Sequence, residues 1–309
     1  MPTHQSLSRR TFLLQSALAG SGLALGKFSA PDLFAAGKTS WPIAEFSKIY
    51  QELKLSFDES AEVTAEVGLD GIDCPVRPGG QVLPERVGED LPRYEDALKK
   101  RNVKLLLLTT AIQGPSSPHA ETILRTAKKF GVKYYRTGYW KYDKKTAAEK
   151  TLAETKAQLK DLAALNQELG MCAVLQNHAG DDLVGAKLLD YWEIVKGIDA
   201  QQVAIAFDIG HALHTLGQDW RAVFQTMQSH LGVVYVKDFK RGGDFVAFGQ
   251  GDIANTDFFK LVKKTAYQAP VSMHTEYDWS NHGKDLTRTT LIKTMKRDLQ
   301  TLTGWINEA

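Results

Sequence analysis

The apolar run Ala204-Ile205-Ala206-Phe207 ends in Asp208, and His211 follows three residues later. A buried strand that ends in Asp-x-x-His can offer ligands to a metal ion or to a reacting sugar. Three more apolar runs end in polar side chains: Val174-Leu175-Gln176-Asn177-His178, Val234-Tyr235-Val236-Lys237-Asp238 and Ser272-Met273-His274-Thr275-Glu276. Strand side chains alternate between two faces, so Gln176 shares a face with His178, Tyr235 with Lys237, and His274 with Glu276. On an earlier run Asp73, Pro75 and Arg77 share one too. The polar members of all five sets gather at the same end of their strands. Taken singly, each has a plainer use: Asp208 and Asp73 as caps or turn residues, Lys237 with Asp238 as a solvated pair, His178 as a partner for nearby backbone. Glu276 resists such a reading, because a buried carboxylate without a partner is costly.

The elements that would position these residues alternate. The pattern predicts strands at Ile43–Gln51, Leu69–Val76, Val103–Ala111, Val132–Tyr139, Met171–Gln176, Val203–Asp208, Val233–Asp238 and Val271–Tyr277, each followed by an amphipathic helix. Gly68 closes a helix over Asp58–Val67, Pro84 opens the next, Gly170 closes the long helix Thr146–Leu169, and Asp219 is placed to cap another. Eight strand–helix units in one chain of this length predict the α/β class and a closed (β/α)8 TIM barrel, a single domain over residues 37–309. The open doubly wound alternative normally carries a glycine-rich phosphate turn after its first strand, and Tyr50-Gln51-Glu52-Leu53 has no glycine.

The chain has 309 residues and a formal charge of +2. Arg9, Arg10 and Lys27 against Asp32 account for that excess, so residues 37–309 are neutral and predict no nucleic-acid or anionic-membrane footprint. Ser8-Arg9-Arg10-Thr11-Phe12-Leu13-Leu14 leads into an apolar run with small residues at Ala30 and Ala35-Ala36, which resembles a twin-arginine export signal over residues 1–36. The uncharged stretch Thr11–Gly26 spans 16 residues, short of the roughly 20 a stable membrane anchor needs. The expected destination is the bacterial periplasm. The two cysteines, Cys74 and Cys172, fall on separate strands and are expected to be free and buried.

The sequence resembles the sugar phosphate isomerase/epimerase family, the xylose-isomerase-like barrels, over essentially the whole chain after the signal. The likeness is carried by Gly68-Leu69-Asp70-Gly71-Ile72-Asp73, Gln176-Asn177-His178, Phe207-Asp208-Ile209-Gly210-His211, Val236-Lys237-Asp238, Gly249-Gln250-Gly251-Asp252-Ile253 and His274-Thr275-Glu276-Tyr277. Arg77-Pro78-Gly79-Gly80 with Pro84-Glu85-Arg86-Val87 looks like an exported subgroup.

The resemblance implies a divalent metal (Mn, Zn, Mg or Co) that holds vicinal sugar oxygens while a carboxylate removes the proton between them. Asp208 and Glu276 match two of the four ligands. Gln176 stands where a Glu is usual and Tyr235 where a His aligns. Gln176 can coordinate without charge, and His211 is a substitute ligand by analogy with related apurinic endonucleases. The expected function is a carbohydrate isomerase or epimerase working next to a sugar carbonyl, with β-elimination of a 3-keto-glycoside as a lyase variant. Glu276 is the expected base, with Lys237 or His178 as its partner acid/base. Asp73, Arg77, Trp140, His274 and Trp279, with Tyr139, are expected to line the sugar pocket. The alternative is a catalytically retired barrel that binds sugar or a partner protein, and the family habit suggests a homo-oligomer.

Overall fold

A computed structural model describes residues 39–180, 182–277 and 286–309. Its centre is a closed barrel of eight parallel strands: β1 (Ile43–Phe46), β2 (Gly71–Val76), β3 (Lys104–Thr110), β4 (Tyr134–Arg136), β5 (Cys172–Gln176), β6 (Val203–Asp208), β7 (Leu231–Val236) and β10 (Val271–Met273). Each strand pairs with its sequence neighbour in the barrel, and β1 closes the ring against β10. A two-stranded antiparallel ribbon, β8 (Asp238–Phe239) and β9 (Phe245–Val246), rises from the end of β7. The single-domain barrel expected of the alternating pattern is the fold.

The barrel strands are buried almost throughout because helices cover their outer face. The helix Phe57–Val67 starts at a capping box in which Ser56 and Glu59 satisfy each other's backbone N–H, and it stops at Gly68 in the left-handed region. Cys74 and Cys172 are buried and free, as expected.

Several boundaries differ from the pattern. β1 ends at Phe46, and Lys48–Glu52 turns at once into a helix, which brings Lys48 to the rim of the barrel. The expected helix over Asp219–Leu231 runs from Trp220 to Met227 between two single 3-10 turns, and the Asp219 side chain caps nothing. An unforeseen helix, Ile209–Leu216, begins directly at the end of β6. Residues 1–36 and Trp279 lie outside the described residues.

Candidate active site at the barrel mouth

Inside the barrel the inward-facing polar residues meet across the strands. Asp73 on β2 accepts hydrogen bonds from Thr109 Oγ1 of β3 (2.9 Å) and from Ser272 Oγ of β10 (3.1 Å), a span that is bridged only through the interior. Burial raises the Asp73 carboxyl above its usual range, and the facing His274 and the two hydroxyls pull against that.

Asp208 shows why the Asp-x-x-His spacing exists. It is the N-cap of the helix Ile209–Leu216, and its Oδ1 accepts the backbone N–H of His211 at 3.1 Å. Its Oδ2 accepts the Gln176 Nε2 amide at 2.8 Å, while Gln176 Oε1 accepts the Tyr139 hydroxyl at 2.8 Å. Asn177 fixes the same strand end by exchanging hydrogen bonds with the Asp208 backbone. The helix then sits hard against the end of β7: a Cβ on Gly210 would lie 2.1 Å from the Lys237 carbonyl oxygen. Glycine is required there by close approach.

Lys237 is the hub. Its Nζ donates to Glu276 Oε2 at 2.8 Å and to His211 Nε2 at 3.2 Å, and the Phe245 ring of the ribbon covers it at 5.6 Å. Glu276 Oε1 also accepts from Lys48 Nζ at 2.6 Å, and its Oε2 faces His274 Nδ1 at 3.3 Å. Burial works against the Glu276 carboxylate, but Lys237, His274 and Lys48 outweigh it and hold the group far below the usual range. Burial likewise pulls Lys237 down, yet the Glu276 and Asp208 charges turn its net shift upward, so the ammonium persists. An ammonium only donates, so His211 Nε2 is the acceptor and Nδ1 carries the proton. That Nδ1 has no partner among the described residues. Burial pushes His211 down to about 3, which keeps the ring neutral.

His178 lies tilted against His211 at 4.1 Å between centroids and meets the Tyr139 ring edge-on at 5.3 Å. Its Nδ1 lies 2.8 Å from the Ala179 carbonyl oxygen. A carbonyl only accepts, so the proton is on Nδ1, and the Nε2 lone pair accepts no hydrogen bond among the described residues. Burial first, and the Lys237 charge after it, lower its pKa.

The remaining expected site residues divide. His274 stacks on Phe46 at 4.6 Å, and the Arg77 guanidinium lies 5.7 Å from the centroid of the same Phe46 ring. Trp140 does not line the mouth as expected: it is buried, with its indole N–H donated to Gln158 Oε1 of the long helix at 2.7 Å. Asp238 is not solvated beside Lys237. It accepts the backbone N–H groups of Phe239, Gly249, Gly251 and Ile253, which accounts for the Gly249–Ile253 motif as a folded loop. Two site residues escaped the sequence reading, Lys48 and the buried Arg136 at the end of β4. Arg136 carried a signal, a charge between Tyr135 and Thr137 at a strand end; Lys48 did not, because it fell within an expected strand.

The four residues expected to hold a metal are gathered, but around an ammonium. Gln176 turns its amide N–H toward Asp208, and Lys237 engages the facing atoms of His211 and Glu276. Tyr235, at the expected His position, is a buried phenol that burial pushes well above its ordinary range, so it stays protonated and is a poor ligand. Among the described residues no group of three or more His, Cys, Asp or Glu side chains converges to hold an ion. The residues present do not fit a divalent metal while Lys237 keeps its place.

This fold and this mouth define a xylose isomerase-like barrel. The chain belongs to the xylose isomerase-like TIM barrel family, whose sequence profile matches residues 61–297. No curated protein sequence matches the chain. Among solved structures it is similar to the IOLI protein with a bound zinc atom (TM-score 0.66, 19% identity, 86% of this chain and 98% of that one). It is also similar to a D-psicose 3-epimerase in the presence of D-fructose (0.63, 15%, 86% and 99%). A third is the 3-keto-D-glucoside 4-epimerase of E. coli (0.61, 15%, 82% and 98%). At these identities the likeness is one of fold.

Proposed function

We propose that the chain is a sugar isomerase or epimerase-like enzyme that moves a proton on the carbon next to a sugar carbonyl, and that Lys237 supplies the positive charge for this step. The observation that carries the reading is the Lys237 ammonium, held between Glu276 and His211 at the meeting point of the β6, β7 and β10 ends. A fixed ammonium beside a carbonyl oxygen stabilises the enolate that forms when the adjacent proton leaves. His178, neutral and with its Nε2 open, is the proton acceptor. Glu276 is then not the base expected from the sequence, because three positive or donating partners lower its proton affinity. It positions Lys237 and keeps it charged. The sugar-epimerising neighbours in the same fold support the substrate class, and the lyase variant uses the same first step.

The test is deuterium uptake from D2O at the carbon next to the carbonyl, followed by NMR on a panel of aldoses, ketoses and 3-keto-glycosides. Exchange is expected with at least one of them, and His178→Asn should slow it about a hundredfold or more. Uptake unchanged in His178→Asn would remove that residue from the chemistry. Gln176 and Tyr235, the two departures from the family pattern, favour a second reading, a barrel that binds sugar without turnover. Sugar binding with no exchange across the panel selects it. The twin-arginine segment at Arg9-Arg10 supports export as part of the proposal, and no helix among the described residues is long and apolar enough to cross a membrane.

A further inference from the structure

Arg136 is 3% exposed, yet its guanidinium has no ion pair among the described residues. Its only hydrogen bond there is a long one, Nη2 to the Thr110 carbonyl at 3.4 Å, and Nη1 is buried without a partner. The group lies 4.6 Å from the centroid of the Tyr139 ring, whose hydroxyl is bound to Gln176. Asp73 is the acid of the neighbouring interior, but both its oxygens are used by Thr109 and Ser272. Arg77 is close enough for the two guanidinium charges to oppose each other, and it too makes no ion pair among the described residues. The other cations of the mouth are differently placed, since Lys48 and Lys237 share the Glu276 carboxylate.

A guanidinium taken out of water beside an acid that is already hydrogen-bonded to two hydroxyls is poorly compensated, and a second guanidinium close by adds to the cost. Its donors form a planar fork that matches the paired oxygens of a carboxylate or phosphate. From the Arg136 and Arg77 arrangement we infer that the substrate is an anionic sugar, its acid group bound by these two arginines while its carbonyl end meets Lys237. This inference rests on the proposed function for the location of the substrate and adds its chemical class. Tyr139, stacked on Arg136 and bonded to Gln176, links the anion subsite to the Asp208 strand end.

The experiment compares binding of D-glucuronate, D-glucose 6-phosphate and D-glucose by calorimetry, with deuterium uptake measured on the same samples. At least one acid sugar should bind about 10- to 100-fold more tightly than glucose, the worth of a charged hydrogen-bonded pair. The two acid probes separate a carboxylate site from a phosphate site. In Arg136→Met and in Arg77→Gln that preference should fall toward unity, because the acid sugar loses more affinity than glucose does. Arg77→Gln, at the rim, covers the case in which Arg136→Met fails to fold. Equal affinity for acid and neutral sugars, equal losses for both in the variants, or no binding of any of the three overturns the inference. Tight acid-sugar binding without deuterium uptake contradicts the proposed reaction and leaves the anion subsite standing. Uptake on glucose with no acid preference does the reverse.

Discussion

Replacing Lys237 with methionine removes a charge whose side chain is 8% exposed and leaves Glu276, at 21%, with one of its two lysines. Removing one member of a buried pair typically costs about 3–5 kcal/mol. Here Lys48 remains 2.6 Å from the other Glu276 oxygen, so a loss toward the lower end, about 3 kcal/mol, is expected at neutral pH. Glu276→Gln leaves Lys237 with His211 and the Asp208 charge, and the double variant removes both charges together. A double-mutant cycle by chemical denaturation should therefore give a favourable coupling of about 1.5–3 kcal/mol between the two positions. The coupling also has a pH sign. Glu276 is held below its unfolded pKa, so its contribution is present above about pH 4.5 and fades as the pH falls toward the folded value. A coupling below about 0.5 kcal/mol, the scatter of additive sites, would refute the placement of Lys237 as the hub of the site.

Two further outcomes follow from the same geometry. Gly210→Ala pushes a Cβ to 2.1 Å from the Lys237 carbonyl oxygen, an overpacking that should cost about 2 kcal/mol or more in thermal or urea denaturation. It should also reduce deuterium uptake, because backbone relief there moves Lys237. Wild-type stability and uptake would show that β7 and the helix after β6 are not in contact at that point. Glu45 is buried on the helix-facing side of β1, where its Oε1 accepts the backbone N–H and the hydroxyl of Thr275, and burial raises its pKa well above the usual value. A raised folded pKa means that stability falls as the pH climbs above about 4.5. Glu45→Gln keeps the accepting oxygen and lacks the titration, so its melting temperature relative to the native protein should increase from pH 5 to pH 7. A relative decrease would reverse the sign argued for that carboxyl.

The barrel was legible because a fully buried parallel strand is an apolar run bounded by turns, and Val203–Asp208 is found with the expected limits. Facing was legible for the same reason: alternation puts Asp73, Tyr235 and Ser272 on one inner surface without any knowledge of long-range contacts. What alternation does not carry is which neighbour each polar atom meets. Asp208 reads equally well as a cap and as a ligand, and it turns out to cap His211 with one oxygen while binding Gln176 with the other. Lys237 reads as an auxiliary acid/base, yet its reach to Glu276 depends on β7 and β10 being adjacent, a tertiary fact. Trp140 is expected to line the sugar pocket and is committed to Gln158, a partner eighteen positions away on a helix. Lys48 was hidden because the strand ends at Phe46, five residues before the expected limit at Gln51.

In the proposed reaction the Lys237 ammonium does the electrostatic work that the family resemblance assigns to a divalent metal. Deuterium uptake next to the carbonyl, measured before and after exhaustive chelator dialysis with metal content followed on the same samples, tests it directly. Uptake should be undiminished in metal-free protein and lost in Lys237→Met. Uptake abolished by the chelator and restored by Mn, Zn, Mg or Co, with one ion bound per chain, would contradict it.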